Sequence, residues 1–316
     1  MRKILSGLLV VLLLVLCQTA VFASTGDDTD QQLWRIDTKN ISQMPRNFRT
    51  TNDQITIKPK DGAIPSTIGF TELQESGSAQ FSKLEFAQML TKLKGLSSGP
   101  IYIVDLRQES HGLVNGIGAS WYGEHNWANV GKTPDQIVKD EKTRIKATLK
   151  APVVLSVLDD DKNASESYKL AVDTAVTEEE FVKAQGLNYC RITVTDHSPP
   201  TDDNVDSFIK FYKELPKNAW LHFHCQAGEG RTSIFMVMYD ILRNGKQVSL
   251  EDIVKRQIGI GGQNIMKTKA GKEKDAWKED LFVKKVKFIK AFYEYVTKSP
   301  DDLPVAWSEW VRQNNK

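Results

Sequence analysis

Hydrophobic and polar positions change period several times between Glu178 and Leu242, and each change predicts an element. Helical spacing near Glu178–Ala184 gives way to the strand-like run Asn188–Val194, a polar loop over Thr195–Thr201, and a helical repeat from about Asp203 to Glu214. Trp220–His224 then reads as a short buried strand, and Thr232–Leu242 is apolar almost all round, as a helix enclosed by the core would be. Strands alternating with helices predict an α/β sheet. Upstream, Phe86, Met89, Leu90 and Leu93 recur at helical spacing behind Ser82, and Ile101–Val104 is an apolar run ending at Asp105-Leu106-Arg107. Short strands are expected at Ile55–Ile57 and Thr67–Phe70. From about 108 to 177, Gly and Asn turns surround a helix from Pro134 to about Leu149 and a strand over Pro152–Leu158, which predicts an insertion or small lobe. Residues 24–46 are polar and lack periodicity, so they are expected to form a flexible arm outside the core.

Composition changes this picture little. The 316 residues are 40% hydrophobic and 26% charged, which excludes a disordered tail protein. The formal charge of +2 gives no global reason to expect nucleic acid or an acidic membrane surface, so any polyanion site must be local. Three cysteines and five histidines without tight spacing make neither a disulfide scaffold nor a zinc pattern. The first 23 residues set the expected compartment. Arg2 and Lys3 precede an apolar run from Ile4 to Leu16, and Val21-Phe22-Ala23 offers a cleavage site, which reads as an export signal. The run is shorter than the roughly 20 residues of a membrane-spanning helix. A secreted or periplasmic chain without stable membrane insertion is expected, and Leu16 is too large to favour lipid anchoring at Cys17.

Between the strand Trp220–His224 and the helix from Thr232 lies Cys225-Gln226-Ala227-Gly228-Glu229-Gly230-Arg231. A strand turning through glycines into a helix aims successive backbone N–H groups and the positive helix end at one point, which makes an anion site. Cys225 at its base is placed to react as a thiolate. Arg231 closes the ring with a planar fork that holds two oxygens of one phosphoryl group. Gly228 and Gly230 are read as allowing an approach that side chains would block. A departing alkoxide needs a proton, and Asp196, in a loop stiffened by Pro199 and Pro200, is the candidate donor.

The string His224-Cys225-Gln226-Ala227-Gly228-Glu229-Gly230-Arg231-Thr232 resembles the signature of cysteine-dependent protein tyrosine phosphatases. That resemblance implies a phosphocysteine intermediate on Cys225 and a hydroxyl at Thr232 that helps the thiolate leave. Asn47-Phe48-Arg49-Thr50, Ser76 to Phe81, Asp105 to Gly112, Ser120-Trp121-Tyr122-Gly123, Thr195-Asp196-His197, Lys267-Thr268-Lys269 and Asp275-Ala276-Trp277-Lys278 narrow the match. Together they resemble the bacterial protein tyrosine phosphatase-like phytases over nearly the whole mature chain. The resemblance implies a mixed sheet flanked by helices with a smaller β-rich lobe, no metal or other cofactor, and removal of phosphates from myo-inositol polyphosphates. It also implies that Arg49, Lys162 and His197 contact phosphate and that Glu109 approaches the substrate.

Lys274, Lys278 and Lys285 fall within roughly 40° of one another at about 100° per helical residue. Phe292, Ile289 and Val296 continue that stripe, so its lysine half is expected to face a cavity. Glu229, Phe282, Asp161 and Asn126 depart from the family pattern, which bears on the order of phosphate removal. The competing readings are a phosphotyrosine or dual-specificity protein phosphatase with the same chemistry, and a phosphate-binding module without turnover. Cys190, on the strand leading to the acid loop, is a candidate disulfide partner for Cys225.

Overall fold

The computed structural model describes residues 32–57 and 62–314. The export signal, Cys17 and the start of the expected arm lie outside the described residues. The first half of the chain forms β1 (Leu33–Thr38), β2 (Arg49–Thr50), β3 (Glu75–Ser78), α1 (Lys83–Leu96), β4 (Ile101–Arg107), β5 (His111–Val114), β6 (Ile117–Tyr122), α2 (Pro134–Ala147) and β7 (Val153–Leu158). The second half forms β8 (Ala164–Leu170), β9 (Ala175–Thr177), α3 (Glu178–Ala184), β10 (Asn188–Val194), α4 (Asp202–Glu214), β11 (Trp220–His224), α5 (Gly230–Asn244), α6 (Leu250–Gly259), α7 (Glu279–Lys298) and α8 (Trp307–Asn314).

One mixed sheet has the order β10-β4-β11-β3-β2, parallel except for β2. Its centre is β11, whose alternation fills two cores: Leu221 and Phe223 face α4 to α8, whereas Trp220 packs with Phe81, Phe86 and Ile103 toward α1 and α3. Parallel strands with helices on both faces send their carboxyl ends to one edge, where such folds place ligands. Helices α1 to α4 each begin with a capping box, from Ser82, Thr133, Thr177 and Thr201. No helix among the described residues is long and apolar enough to cross a membrane.

The second sheet has the order β8-β7-β1-β6-β5-β9 and is the expected β-rich lobe, with one correction. Its third strand, β1, comes from the segment read as an arm. Trp34 is buried in the lobe core and meets Trp121 edge-on, while Arg35 and Asp37 are buried on the other face as an ion pair. The segment looked polar because half of its buried residues are charged and paired. The expected strands at Ile55–Ile57 and Thr67–Phe70 are also absent: Thr56 bonds the Gly259 carbonyl, and Thr67–Phe70 closes a turn. The strand in that region is β3, Glu-Ser-Gly-Ser, wholly buried between β11 and β2, and its composition carries no hydrophobic signal.

Candidate active site

Cys225 follows β11 directly and is 3% exposed. The chain then turns through Gln226–Glu229 into α5, whose first turn has no side-chain cap. The turn carbonyls are held outward. Gln226 O accepts from the Gln80 amide at 3.2 Å, Ala227 O from Asn47 Nδ2 at 2.8 Å, and Gly228 O from Arg49 Nη1 at 2.8 Å. Carbonyls facing outward leave the amides of the same peptides facing the centre, and no amide from Gln226 to Glu229 donates to another group among the described residues. Gly228 has φ +73, and a Cβ there would collide with the backbone of Ser78 and Ala79. Gly230 is different: a Cβ would meet only Gln263 Oε1, at 3.4 Å, so the fold alone does not demand glycine there. Thr232 Oγ1 is buried and donates to Cys225 Sγ at 3.2 Å.

Two of the expected substrate contacts have buried protein partners. Arg49 is 2% exposed and props the cradle from behind through Gly228 O and, at 3.1 Å, Ser233 Oγ. Burial lowers its pKa to about 10, against the opposing charges of Cys225, Glu75 and Glu229. Glu109 is fully buried and occupies the Arg231 fork, accepting from Nη1 at 2.6 Å and Nη2 at 2.9 Å. These bonds orient the arginine. Burial pushes the Glu109 carboxyl up, but Arg231 and Arg107 together hold it far below the usual range.

Asp196 stands just past β10, half-buried, with Oδ1 3.2 Å from Arg231 Nε. Oδ1 also accepts the His197 amide, Oδ2 accepts from Asn126 Nδ2 at 2.6 Å, and the Asp196 carbonyl accepts from Trp127 Nε1 at 3.0 Å. Burial raises its pKa, yet Arg231, His197 and the Asn126 bond outweigh that and keep the carboxyl below its ordinary value.

These groups open into a cavity of about 570 Å³. Its rim comes from the β7–β8 hairpin tip, a 3₁₀ turn over Glu273–Lys278 and the first turns of α7. His197, Lys162, Lys274, Lys278 and Lys285 all line it, as expected, and Lys267 and Arg35 join them. The lysines arrive by a different route from the helical stripe. A 3₁₀ turn advances about 120° per residue, so Lys274 leaves the stripe and binds Asp161 Oδ1 across the opening at 2.6 Å. Lys278 pairs with Asp275 at 2.7 Å. Lys285 is 8% exposed and has no carboxylate partner among the described residues; its Nζ lies 4.7 Å from the Phe282 ring centre. Burial, with help from Lys278, lowers its pKa to about 8 although Asp196 opposes the shift. Glu229 is exposed at the rim. Arg35 was missed because it lies in β1, where the alternation Leu-Trp-Arg-Ile-Asp-Thr was the signal available. An aromatic wall of His125, Trp127 and Trp277 was also unforeseen; the His125 and Trp277 ring centres are 3.9 Å apart.

Cys190 cannot reach Cys225. It pairs with Val104 of β4, which pairs in turn with Phe223 of β11, and two strand spacings of ~10 Å exceed the ~7 Å limit for bridged Cα atoms. Both thiols are free, and burial with Asp105 pushes Cys190 up to about 12. Behind the cradle, Asp105, Glu178 and His224 bring three ligand-type atoms within 4.8 Å. His224 Nε2 lies 2.7 Å from Glu178, Tyr189 donates to Asp105 at 2.7 Å, and His111 reaches both carboxylates. Burial lowers the His111 pKa, but Asp105 and Glu141 raise it to about 10 overall, so the cluster is an ion-paired network under β11.

A cysteine at the foot of an amide ring, an arginine in the first turn of the helix that follows and a carboxyl group beside that arginine, all at the carboxyl edge of a mixed sheet, define a protein tyrosine phosphatase-like fold and site. A family model described as inositol hexakisphosphate, PTP-like phytase, matches residues 104–243. A PTP-like phytase structure from Bdellovibrio bacteriovorus is 32% identical, with a TM-score of 0.70 over 92% of this chain and 98% of that one. The chain belongs to the PTP-like phytase family. The PTP-like myo-inositol phosphatase of Mitsuokella multacida, solved in complex with myo-inositol-(1,3,4,5)-tetrakisphosphate, is 41% identical, with a TM-score of 0.85 over 92% of this chain and 50% of that one. Effector protein hopD2 of Pseudomonas syringae pv. tomato is 30% identical over 271 residues, 83% of this chain and 56% of that protein. The chain thus spans about half the length of these two relatives.

Proposed function

We propose that this chain is an exported phosphatase that hydrolyses phosphomonoesters of inositol hexakisphosphate and lower inositol polyphosphates through a cysteinyl-phosphate intermediate. The observation that carries the substrate class is a set of cations around the cradle: Lys162, Lys267, Lys274, Lys278, Lys285 and Arg35 line the same cavity as Cys225. The complex of the Mitsuokella relative with an inositol tetrakisphosphate supports the same reading. Export rests on the amino-terminal sequence pattern.

In the first step the Cys225 sulfur attacks phosphorus, the bond to the inositol oxygen breaks, and Asp196 gives that oxygen a proton. The amide ring and Arg231 hold the equatorial oxygens, where charge concentrates in the transition state. Asp196, its pKa lowered, is an anion beside Arg231. A phosphate dianion on the guanidinium offsets that positive charge and favours proton uptake by Asp196. In the second step water attacks phosphorus, Asp196 takes its proton, and the P–S bond breaks while the Thr232 hydroxyl, 3.2 Å away, donates to the leaving sulfur.

The aromatic wall favours a second reading, in which an aryl phosphate such as phosphotyrosine is bound beside Trp277. A rate comparison of inositol hexakisphosphate, a phosphotyrosyl peptide and p-nitrophenyl phosphate, with and without chelator, separates the two. Preference for the peptide would remove the inositol assignment. Cys225→Ser should abolish turnover while retaining binding, and substantial residual turnover in that variant would sink the covalent mechanism.

A further inference from the structure

A closed circuit of buried polar groups joins the small lobe to the site. Asp37 on β1 holds Arg35 Nε at 2.8 Å, Arg35 Nη1 donates to Asn126 Oδ1 at 2.7 Å, and Asn126 Nδ2 donates to Asp196 Oδ2 at 2.6 Å. In the other direction Asp37 accepts from Arg107 Nη1 at 2.8 Å, and Arg107 faces Glu109, which fills the Arg231 fork. Arg231 Nε meets Asp196 and closes the ring. Each Arg35 guanidinium nitrogen has a partner in this network, since Nη2 is bound to Ser120 Oγ at 2.9 Å. The backbone bends to complete this arm: His125 and Asn126 are consecutive left-handed residues, with φ +57 and +66, and His197 beside the acid has φ +64. Such conformations are uncommon outside glycine, and they persist where the surrounding structure over-determines them. Here they deliver one amide side chain, 6% exposed, to one carboxylate oxygen.

We propose that Asn126, held by Arg35 of β1, is the positioning residue for the proton donor Asp196, so that the amino-terminal strand sets the proton-transfer half of the reaction. The inference rests on the reading of Asp196 as donor. The two arms have separable duties. The Asn126 arm aims the acid, whereas the Arg107–Glu109 arm aims the fork that stabilises the phosphoryl group. Asn126 also selects the orientation of Asp196, because its amide nitrogen can serve Oδ2 only while Oδ1 stays on the His197 amide.

The test uses the full chain and two leaving groups. Asn126→Ala is expected to lower kcat on inositol hexakisphosphate by about ten- to a hundredfold, less than the 10²–10⁴-fold that general acid catalysis supplies in full. On p-nitrophenyl phosphate, whose leaving group departs without a proton, kcat should change by less than about threefold. KM should hold for both. Asn126→Asp keeps the Arg35 contact but replaces the donor to Asp196 with a second carboxylate, so the alkaline limb of the inositol phosphate pH profile should move upward. This variant also guards against misfolding of the alanine form. Equal losses on both substrates, or no loss on either, would overturn the positioning role. Asp196→Asn run in parallel distinguishes the failures: if it separates the substrates and Asn126→Ala does not, only the positioning inference falls. If Asp196→Asn itself slows both alike, the donor assignment falls and takes the inference with it.

Discussion

Lys285 should work against the stability of the free protein and for its affinity, and replacing it by methionine measures both effects at once. The ammonium is 8% exposed and without a carboxylate partner among the described residues, and its pKa drops from 10.5 to about 8, chiefly through burial. At ~1.36 kcal/mol per unit this is an unfavourable charging term of roughly 3 kcal/mol at neutral pH. The sign follows from proton counts. Between about 8 and 10.5 the unfolded chain binds more protons than the folded one, so stability rises with pH across that window, and below it the full penalty is present. Methionine keeps most of the stem's packing and removes the charge. Lys285→Met should therefore raise Tm at pH 7. A polyanion meets the same ammonium as a charge-assisted partner worth about 1.5–3 kcal/mol, so affinity for inositol hexakisphosphate should fall roughly ten- to a hundredfold. Turnover of p-nitrophenyl phosphate should be nearly unchanged. In the parent, KM for the inositol substrate should climb as pH passes about 8, and the variant should lose that dependence. Thermal unfolding and steady-state kinetics across pH 6–9 are sufficient. A lower Tm with an unchanged KM would refute the reasoning on both counts.

Gly228→Ala combines a left-handed backbone with a collision against Ser78 and Ala79, so it should lower both stability and activity, whereas Gly230→Ala should melt like the parent. Asp161→Asn frees Lys274 at the rim and should tighten binding of highly phosphorylated inositols at low salt, an advantage that titration at rising ionic strength should erase. Since Cys190 is a full strand removed from Cys225, oxidant should inactivate the parent and Cys190→Ala at equal rates. Protection in the alanine variant would mean that a thiol pair does form.

The strand-turn-helix cradle was legible because its parts are neighbours in sequence. Cys225, the turn amides, Arg231 and Thr232 lie within eight positions, and an apolar run, glycines and an apolar helix mark where each must sit. Asp196 was legible for a similar local reason, a polar loop directly after a strand. Helix α1 was legible from Ser82 and the apolar spacing behind it, and the other three capping contacts, from Thr133, Thr177 and Thr201, likewise span three residues.

What only the tertiary structure decided is the use of buried charge. Arg35, Asp37 and Arg107 read as ordinary polar residues, and the burial of Glu109 had no local signal, since hydrophobic periodicity assumes that charge faces water. They are buried because each meets an opposite charge or hydrogen-bond partner from a distant part of the chain, and that pairing offsets the loss of hydration. The same long-range pairing turned an apparent arm into β1, made a strand of Glu-Ser-Gly-Ser, and bound Arg49 to the cradle carbonyl of Gly228 and Glu109 to Arg231. Local pattern determined where the cradle lies; contacts across long stretches of chain, such as the 184 positions between Arg49 and Ser233, determined which side chains line the cavity and which hold the others still.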